Sequence, residues 1–187
     1  SNHWMFISTR GGLSAGRTDC DSALFPYYTE DKIRDNSDNT GSRTIVIADQ
    51  GGKRMLWEPF SRFHTGIYRI TRNLYKNVLG DKLIFEETNH DLGLQFSYSW
   101  STSDRFGFVK QSTIAATRNA ESAVEILDGI ENLLPYGVLA GTQNELSCLV
   151  DAYKKNELVP NSGLAVYAMS SIPVSYTHLT LPTSPKV

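Results

Sequence analysis

Apolar and polar positions alternate along much of this chain with a period of two residues. In the clearest stretch, 93–100, a Gln and two Ser alternate with Phe, Tyr and Trp. Successive side chains of a strand point to opposite faces, so this pattern predicts one polar and one aromatic face. Turn sequences rich in Gly, Asn and Asp recur about every ten residues, which is typical of an antiparallel sandwich or meander. We therefore predict a mainly β fold, an antiparallel β-sandwich.

The same pattern places the individual elements. Gly51 and Gly52 separate two short apolar runs, which predicts a hairpin. One helix is expected over 142–156, where Thr142 can cap the first turn and Glu145 stands at the capping-box position. Strands are predicted over 4–7, 44–47, 54–57, 67–75, 82–88, 93–100, 106–115, 123–130 and 164–172.

Length and composition narrow the class of protein. With 187 residues, the chain can bury the core of one domain, and its net charge of -2 gives no general attraction to nucleic acid or to an anionic membrane. No apolar run is long enough to span a membrane. No signal-peptide pattern is visible, which slightly favours the cytoplasm and leaves the compartment unknown. Cys20 and Cys148 lack metal-ligand spacing; two lone thiols are favoured, and a disulfide between them stays open.

The last fifteen residues, 173–187, resemble a sequence of non-native origin. The run from Val174 to Thr183 resembles the translation of a transposon-type sequencing adapter, and the remaining residues fit a barcode followed by a stop codon. We therefore predict a native β-sandwich domain over 1–172 and a non-native tail over 173–187. His178 is accordingly left out of any site. A sandwich cut at this point would lack its later strands and would expose unpaired edges and apolar surface.

Several short segments of the sequence resemble a known protein family. Together they are similar to the N-terminal region of bacterial proteins related to cellobiose phosphorylases and glycoside hydrolases, and the resemblance covers most of residues 3–172. These segments are Trp4–Ser8, Gly11–Gly16, Ala23–Tyr28, Asp31–Ile33, Phe106–Ile114 and Val124–Pro135.

The resemblance implies a place in a larger architecture. In that family a β-sandwich, called a supersandwich, precedes an (α/α)6 barrel, and the barrel carries most of the catalytic and sugar-binding residues. The resemblance thus implies a non-catalytic front domain whose partners are the downstream barrel and an oligosaccharide. No catalytic residue can be transferred to this chain. We expect no cofactor and no metal, and whether the chain belongs to an enzyme stays uncertain.

One segment combines aromatic and charged residues in the way that sugar recognition requires. The polar stretch 17–42 contains Arg17, Asp19, Tyr27, Tyr28, Asp31 and Lys32. Ordering a long loop costs conformational entropy, which packing or a ligand must offset. These residues are therefore candidate carbohydrate contacts, and the competing interpretation is that the loop packs the sandwich against the barrel. Trp57 and Trp100 are further candidates as stacking platforms, although their alternating strands favour the core.

Two other motifs have simpler interpretations. Glu86 and Glu87 are adjacent in a strand and should point to opposite faces, and the nearby His90 and Asp91 suit a turn, so we predict structural roles rather than acid–base catalysis or a calcium site. The glycine-rich run 11–16 lacks the Lys-Ser/Thr of a phosphate-binding loop. A tight turn with a close backbone approach explains it better.

Three functions remain in competition after these arguments. The first is a non-catalytic sandwich domain of a carbohydrate-active enzyme, and the second is a stand-alone carbohydrate-binding module. The third is a structural or adhesive sandwich that contacts no sugar. For the first, the exposed sheet surface should be apolar, whereas the second requires solvent-exposed aromatic rings.

Overall fold

The computed structural model describes residues 2–19, 21–26, 37–38, 40–118 and 123–173. Over these described residues the structure is mainly β, with 53% strand and 8% helix, as the alternating pattern predicts. The strands are β1 (His3–Ile7), β2 (Leu13–Arg17), β3 (Gly41–Gln50), β4 (Lys53–Trp57), β5 (Ile70–Lys76), β6 (Lys82–Asn89), β7 (Leu94–Ser103), β8 (Gly107–Ala116), β9 (Ala123–Glu131), β10 (Lys154–Val159) and β11 (Leu164–Met169). The helices are α1 (Ala140–Glu145) and α2 (Ser147–Tyr153).

The described strands form four antiparallel sheets. One sheet is a meander of four strands in the order β5-β6-β7-β8, and a second has the order β4-β3-β9. The hairpins β1–β2 and β10–β11 each form a two-stranded sheet. The pairing of β3 with β9 joins residues about eighty positions apart, from Gly41 opposite Glu131 to Asp49 opposite Ala123.

The core lies between the two larger sheets, which gives the fold its sandwich-like character. On β7, every second side chain is buried, and Phe96 is 0% exposed. Val46 and Ala48 of β3 contribute from the other sheet to the same hydrophobic cluster. Fully burying a side chain such as Phe96 stabilises the fold by about 1.5–3 kcal/mol. The alternation read from the sequence therefore sets which face of each strand is covered.

The hairpin predicted around Gly51 and Gly52 is confirmed. Gln50 pairs with Lys53, so the loop contains only the two glycines. Both have positive φ angles, 60° and 80°. A two-residue turn of this kind needs left-handed backbone at both positions, which glycine adopts without steric cost.

The helix predicted over 142–156 is wrong in extent and in its cap. Two short helices occupy this segment, α1 begins at Ala140 after Leu139, and no side chain caps it. Leu146 interrupts the helical backbone with φ -124° and ψ 35°. From Lys154 onward the chain is a strand, because it pairs along its whole length with β11. The local hairpin pairing of β10 with β11 overrides the helical spacing of the apolar residues here.

Candidate functional site

The β1–β2 hairpin provides the scaffold of the candidate site. Its register pairs His3 with Arg17 and Trp4 with Gly16. Directly opposite residues of an antiparallel pair share one face, so His3 and Arg17 project to the same side. A Cβ on Gly16 would lie 2.4 Å from Cζ2 of Trp4. Only glycine therefore lets the indole lie across the strand at this point.

The glycine-rich run is a turn and a strand rather than a phosphate-binding loop. Gly11 has a φ of 84°, and a Cβ there would lie 2.6 Å from the Tyr98 hydroxyl. Its N–H donates to the Ser8 carbonyl (2.9 Å), which closes the turn. Leu13–Arg17 then continues as a strand, whereas a phosphate-binding loop leads into a helix. The prediction of a tight turn with a close backbone approach is confirmed.

Two adjoining cavities open beside this hairpin, with volumes of about 420 Å³ and 330 Å³. Each falls in or near the range of small-molecule binding sites. We call the two cavities together the hairpin groove. The side chains that line both are His3, Arg17, Leu24, Leu134, Pro135 and Tyr136.

Exposed aromatic rings stand at the hairpin groove. Tyr136 is 87% exposed and Phe106 is 71% exposed. The guanidinium carbon of Arg17 lies 5.6 Å from the centroid of the Tyr136 ring, and Arg105 lies 5.1 Å from that of Phe106. These are cation–π distances, so each guanidinium, a hydrogen-bond donor, lies over a ring. Aromatic rings beside such donors suit the apolar face and the hydroxyls of a sugar.

The walls of the groove are fixed by backbone hydrogen bonds. The Leu24 N–H donates to the Ala15 carbonyl and the Leu134 N–H donates to the Leu24 carbonyl, each at 2.7 Å. Segment 21–26 is thereby placed between β2 and the segment that carries Tyr136. The arrangement brings together three parts of the chain that are distant in sequence.

Of the two predicted loop contacts that the structure describes, Arg17 and Asp19, only Arg17 lines the groove. Asp19 does not line either cavity; its carboxylate accepts the Ser22 N–H at 2.8 Å and closes a turn. That hydrogen bond holds the pKa of Asp19 below its ordinary value. Four of the predicted contacts fall outside the described residues: Tyr27, Tyr28, Asp31 and Lys32.

The two tryptophans are core residues, the interpretation that their alternating strands favour, and neither serves as a stacking platform. Trp57 is 1% exposed and Trp100 is 6% exposed. Both belong to the hydrophobic cluster between the sheets. Trp100 contributes to the wall of the 330 Å³ cavity, but burial on the inner face of β7 leaves no open ring face for a sugar.

Glu87 shows why the paired glutamates do not form an acid–base site. The Glu87 side chain is 1% exposed and receives three hydrogen bonds. Its donors are Nε1 of Trp57 (2.8 Å), the N–H of Phe60 (2.8 Å) and Nε of Arg72 (2.6 Å). Every donor comes from a neighbouring structural element, so this carboxylate joins β4, the loop after it and β5 to β6.

The other members of that cluster are also engaged in structural contacts. Glu86, on the opposite face of β6, accepts from Asn73 and Tyr75. The carboxylate of Asp91 accepts the Arg69 backbone N–H (2.7 Å) and its Nε–H (2.8 Å), and these bonds lower the pKa of Asp91. The turn and strand-end interpretation of the cluster therefore agrees with the geometry.

A second charged network crosses between the sheets. Lys110 of β8 donates to Asp128 of β9 at 2.7 Å, and the Thr44 hydroxyl of β3 donates to the same oxygen at 2.6 Å. Burial tends to raise the pKa of Asp128, but the hydrogen bonds from Lys110 and Thr44 outweigh it, so the pKa lies below its ordinary value. The network links the edge strands of both large sheets.

The sequence arguments missed Tyr136, Phe106 and His3. Tyr136 stands between Pro135 and Gly137, and Phe106 stands in the turn between β7 and β8. An aromatic residue beside turn-forming residues has no strand to bury it, and that signal could have identified both rings. His3 becomes significant only through its pairing with Arg17, which depends on the register of the hairpin.

Other kinds of site find no support in the described ranges. No group of three or more His, Cys, Asp or Glu side chains there could hold a metal ion. Within the same ranges, no helix has the length and apolar character needed to cross a membrane. Cys148 is exposed and carries a free thiol.

Comparison of the sequence with family models and with curated proteins finds no match. No family model matches the chain, and no curated protein matches it at a significant level. The resemblance to the front domain of cellobiose phosphorylase-like proteins therefore stays a prediction.

Proposed function

We propose that this chain is a non-catalytic β-sandwich domain of a carbohydrate-active enzyme of the glycan phosphorylase or glycoside hydrolase type. The observation that carries the proposal is a concentration of exposed, large apolar side chains in residues 126–172. Exposed apolar side chains in this number suit a contact with another protein surface. The resemblance in sequence supplies the class of enzyme.

Exposed apolar side chains occur on several consecutive elements, and we call them together the apolar surface. It begins on β9, an edge strand of its sheet, and continues through both helices to the β10–β11 hairpin, which pairs only with itself among the described strands. Its most exposed members are Leu127 (69%), Tyr136 (87%), Leu149 (57%), Leu158 (74%), Leu164 (64%) and Ile172 (63%). Leaving such side chains in water forgoes stabilisation of about 1.5–3 kcal/mol each.

The proposed partner is a helical catalytic domain of the same protein. An (α/α)6 barrel presents amphipathic helices, whose apolar stripes can cover a sheet edge and a short hairpin. In this arrangement the sandwich supplies one wall beside the catalytic centre and no catalytic group. The described carboxylates support such a role, because Glu87, Asp91 and Asp128 are all engaged in structural hydrogen bonds.

The test is the native reading frame at the source locus beyond codon 172, together with the activity of the protein it encodes. We expect a run of alternating helices that contains a carboxylic acid. The full protein should cleave β-linked glucans with phosphate or water, and this chain alone should cleave none. A native stop codon directly after Ile172 would contradict the proposal.

A second function, that of a stand-alone carbohydrate-binding module, is favoured by the hairpin groove itself. Tyr136 offers a ring at its mouth, and Arg17 offers hydrogen-bond donors beside that ring. Isothermal titration with a panel of glucans and other glycans should then detect binding that Tyr136→Ala abolishes.

The chain offers a matched control for this titration. Phe63 is 67% exposed and lies 5.3 Å from the guanidinium of Arg62, yet it lines no part of the groove. Phe63→Ala should leave binding unchanged. Flat titrations across the whole glycan panel, or equal losses in both variants, would remove the groove from consideration as a sugar site.

A further inference from the structure

Two basic residues line the hairpin groove. His3 and Arg17 are directly opposite each other across β1 and β2, and both line each of the two cavities. Directly opposite residues share one face of an antiparallel pair, so an anion on that face can accept hydrogen bonds from both side chains.

The described lining of the groove contains no balancing carboxylate. Neither an Asp nor a Glu is among the described residues that line the two cavities. Arg17 also forms no ion pair with any carboxylate in the described ranges; the contact that the structure gives its guanidinium is the Tyr136 ring. By contrast, five other arginines each face a carboxylate: Arg43, Arg54, Arg62, Arg69 and Arg72.

The remainder of the lining is apolar or aromatic. Leu24, Leu134 and Pro135 contribute to both cavities, and Phe108, whose ring packs edge-on against His3 at 5.8 Å, contributes to the second. An inorganic anion alone would leave these surfaces uncovered. A ligand that combines a ring with an apolar face and an attached negative charge fits the whole lining better.

We propose that the hairpin groove binds a saccharide that carries a carboxylate, that is, a uronic acid residue of an oligosaccharide. Arg17 receives the carboxylate with its forked N–H donors, His3 adds a donor from the opposite strand, and Tyr136 packs against the sugar ring. This inference rests on the second proposed function, sugar binding by the groove, and adds the class of sugar.

The experiment compares one oligosaccharide with and without its charge. Isothermal titration is performed with an α-1,4-linked galacturonate trisaccharide and with its fully methyl-esterified form. Hydrogen bonds to charged groups are worth about 1.5–3 kcal/mol, so the acid form should bind about tenfold more tightly or better. With a net charge of only -2, the chain has no overall attraction for anions, so the preference would originate in the groove.

Two variants test the role of Arg17. Arg17→Gln should reduce binding of the acid form to the level of the ester, whereas Arg10→Gln, an exposed arginine outside the groove, should preserve the preference. Circular dichroism confirms that both variants are folded. Raising the salt concentration should weaken binding of the acid form and leave the ester unaffected.

The possible results separate the two proposals. Equal affinities for acid and ester would overturn the uronate assignment and leave sugar binding by the groove intact. Absence of binding for both forms and for neutral glycans would overturn sugar binding as well. If inorganic sulfate competes fully and Tyr136→Ala has no effect, the groove is an anion site without a sugar, and the inference is wrong.

Discussion

The buried carboxylate of Glu87 offers the sharpest test of how this fold is held together. It is 1% exposed, and its three donors belong to Trp57, Phe60 and Arg72. The perturbation that isolates its charge is Glu87→Gln, which keeps the shape of the side chain. The amide can accept hydrogen bonds only through its oxygen, so its NH₂ group must face at least one of the three donors.

The expected loss of unfolding free energy follows from the known magnitudes of buried ion pairs and hydrogen bonds. Removing one partner of a buried ion pair costs about 3–5 kcal/mol. The Arg72 side chain is 41% exposed, so water recovers part of its interaction. The glutamine oxygen also retains part of the hydrogen bonding. Together these effects give an expected loss of about 2–4 kcal/mol, which is a large share of the 5–15 kcal/mol that stabilises a typical domain.

Urea unfolding followed by tryptophan fluorescence measures this loss, and the neighbouring residue supplies the control. Glu86→Gln changes the same chemical group on the opposite, solvent-facing side of β6, and should alter the unfolding free energy by less than about 0.5 kcal/mol. For Glu87→Gln, the midpoint should fall by about 1–2 M urea at an ordinary m value. A midpoint for Glu87→Gln equal to that of Glu86→Gln would refute the assignment of Glu87 as a structural clamp.

Three further predictions follow from other contacts. Gly16→Ala should displace the Trp4 indole and lower the stability measured by thermal unfolding by about 1–3 kcal/mol. Gly129→Ala, where an added Cβ meets open space, should lower it by less than about 0.5 kcal/mol, and equal effects would contradict the close approach at Gly16. Because the folded pKa of Asp128 lies below its ordinary value of 3.8, its stabilisation is present above that pH and lost below it. Asp128→Asn should therefore lower stability at pH 7 by about 1–2 kcal/mol and flatten its decline in acid, and an unchanged pH profile would contradict this. Leu158→Glu should reduce self-association and binding of a hydrophobic dye without lowering the unfolding midpoint; an unchanged tendency to self-associate would remove Leu158 from the contact surface.

Local features of the fold were predictable because strand alternation and turn type depend on residues that are adjacent in the sequence. The alternation in β7 identifies its buried face, and Gly51-Gly52 identifies a hairpin without any knowledge of the rest of the chain. The pairing of β3 with β9 was not predictable in this way. Its register depends on contacts between residues about eighty positions apart, for which the sequence contains no local signal. The helix error has a different cause, since β10 pairs with β11 across a loop of only four residues, and this local hairpin outweighs the helical spacing of the apolar residues.

The candidate site was predictable only in part, for a related reason. Arg17 stood out because it opens a polar segment that mixes charge with aromatic residues. Tyr136 could have been noticed from its turn, but nothing in the sequence indicates that it lies over Arg17, more than a hundred positions earlier. Trp57 and Trp100 drew attention as aromatic residues in alternating strands, where the same alternation also places a side chain in the core.

The hairpin groove and the apolar surface have residues in common, and these residues link the two proposed functions. Tyr136 belongs to both, and Leu139, 52% exposed, lines the larger cavity at the margin of the apolar surface. The backbone bonds through Leu24 hold the groove walls in place before any ligand arrives, which reduces the entropy lost on binding. A catalytic domain that covers Tyr136 would alter the affinity of the groove for a sugar. By linkage, the sugar would alter the docking affinity by the same factor. An enzyme that uses this sandwich as a wall beside its catalytic centre would thereby couple sugar binding in the groove to the packing of its two domains.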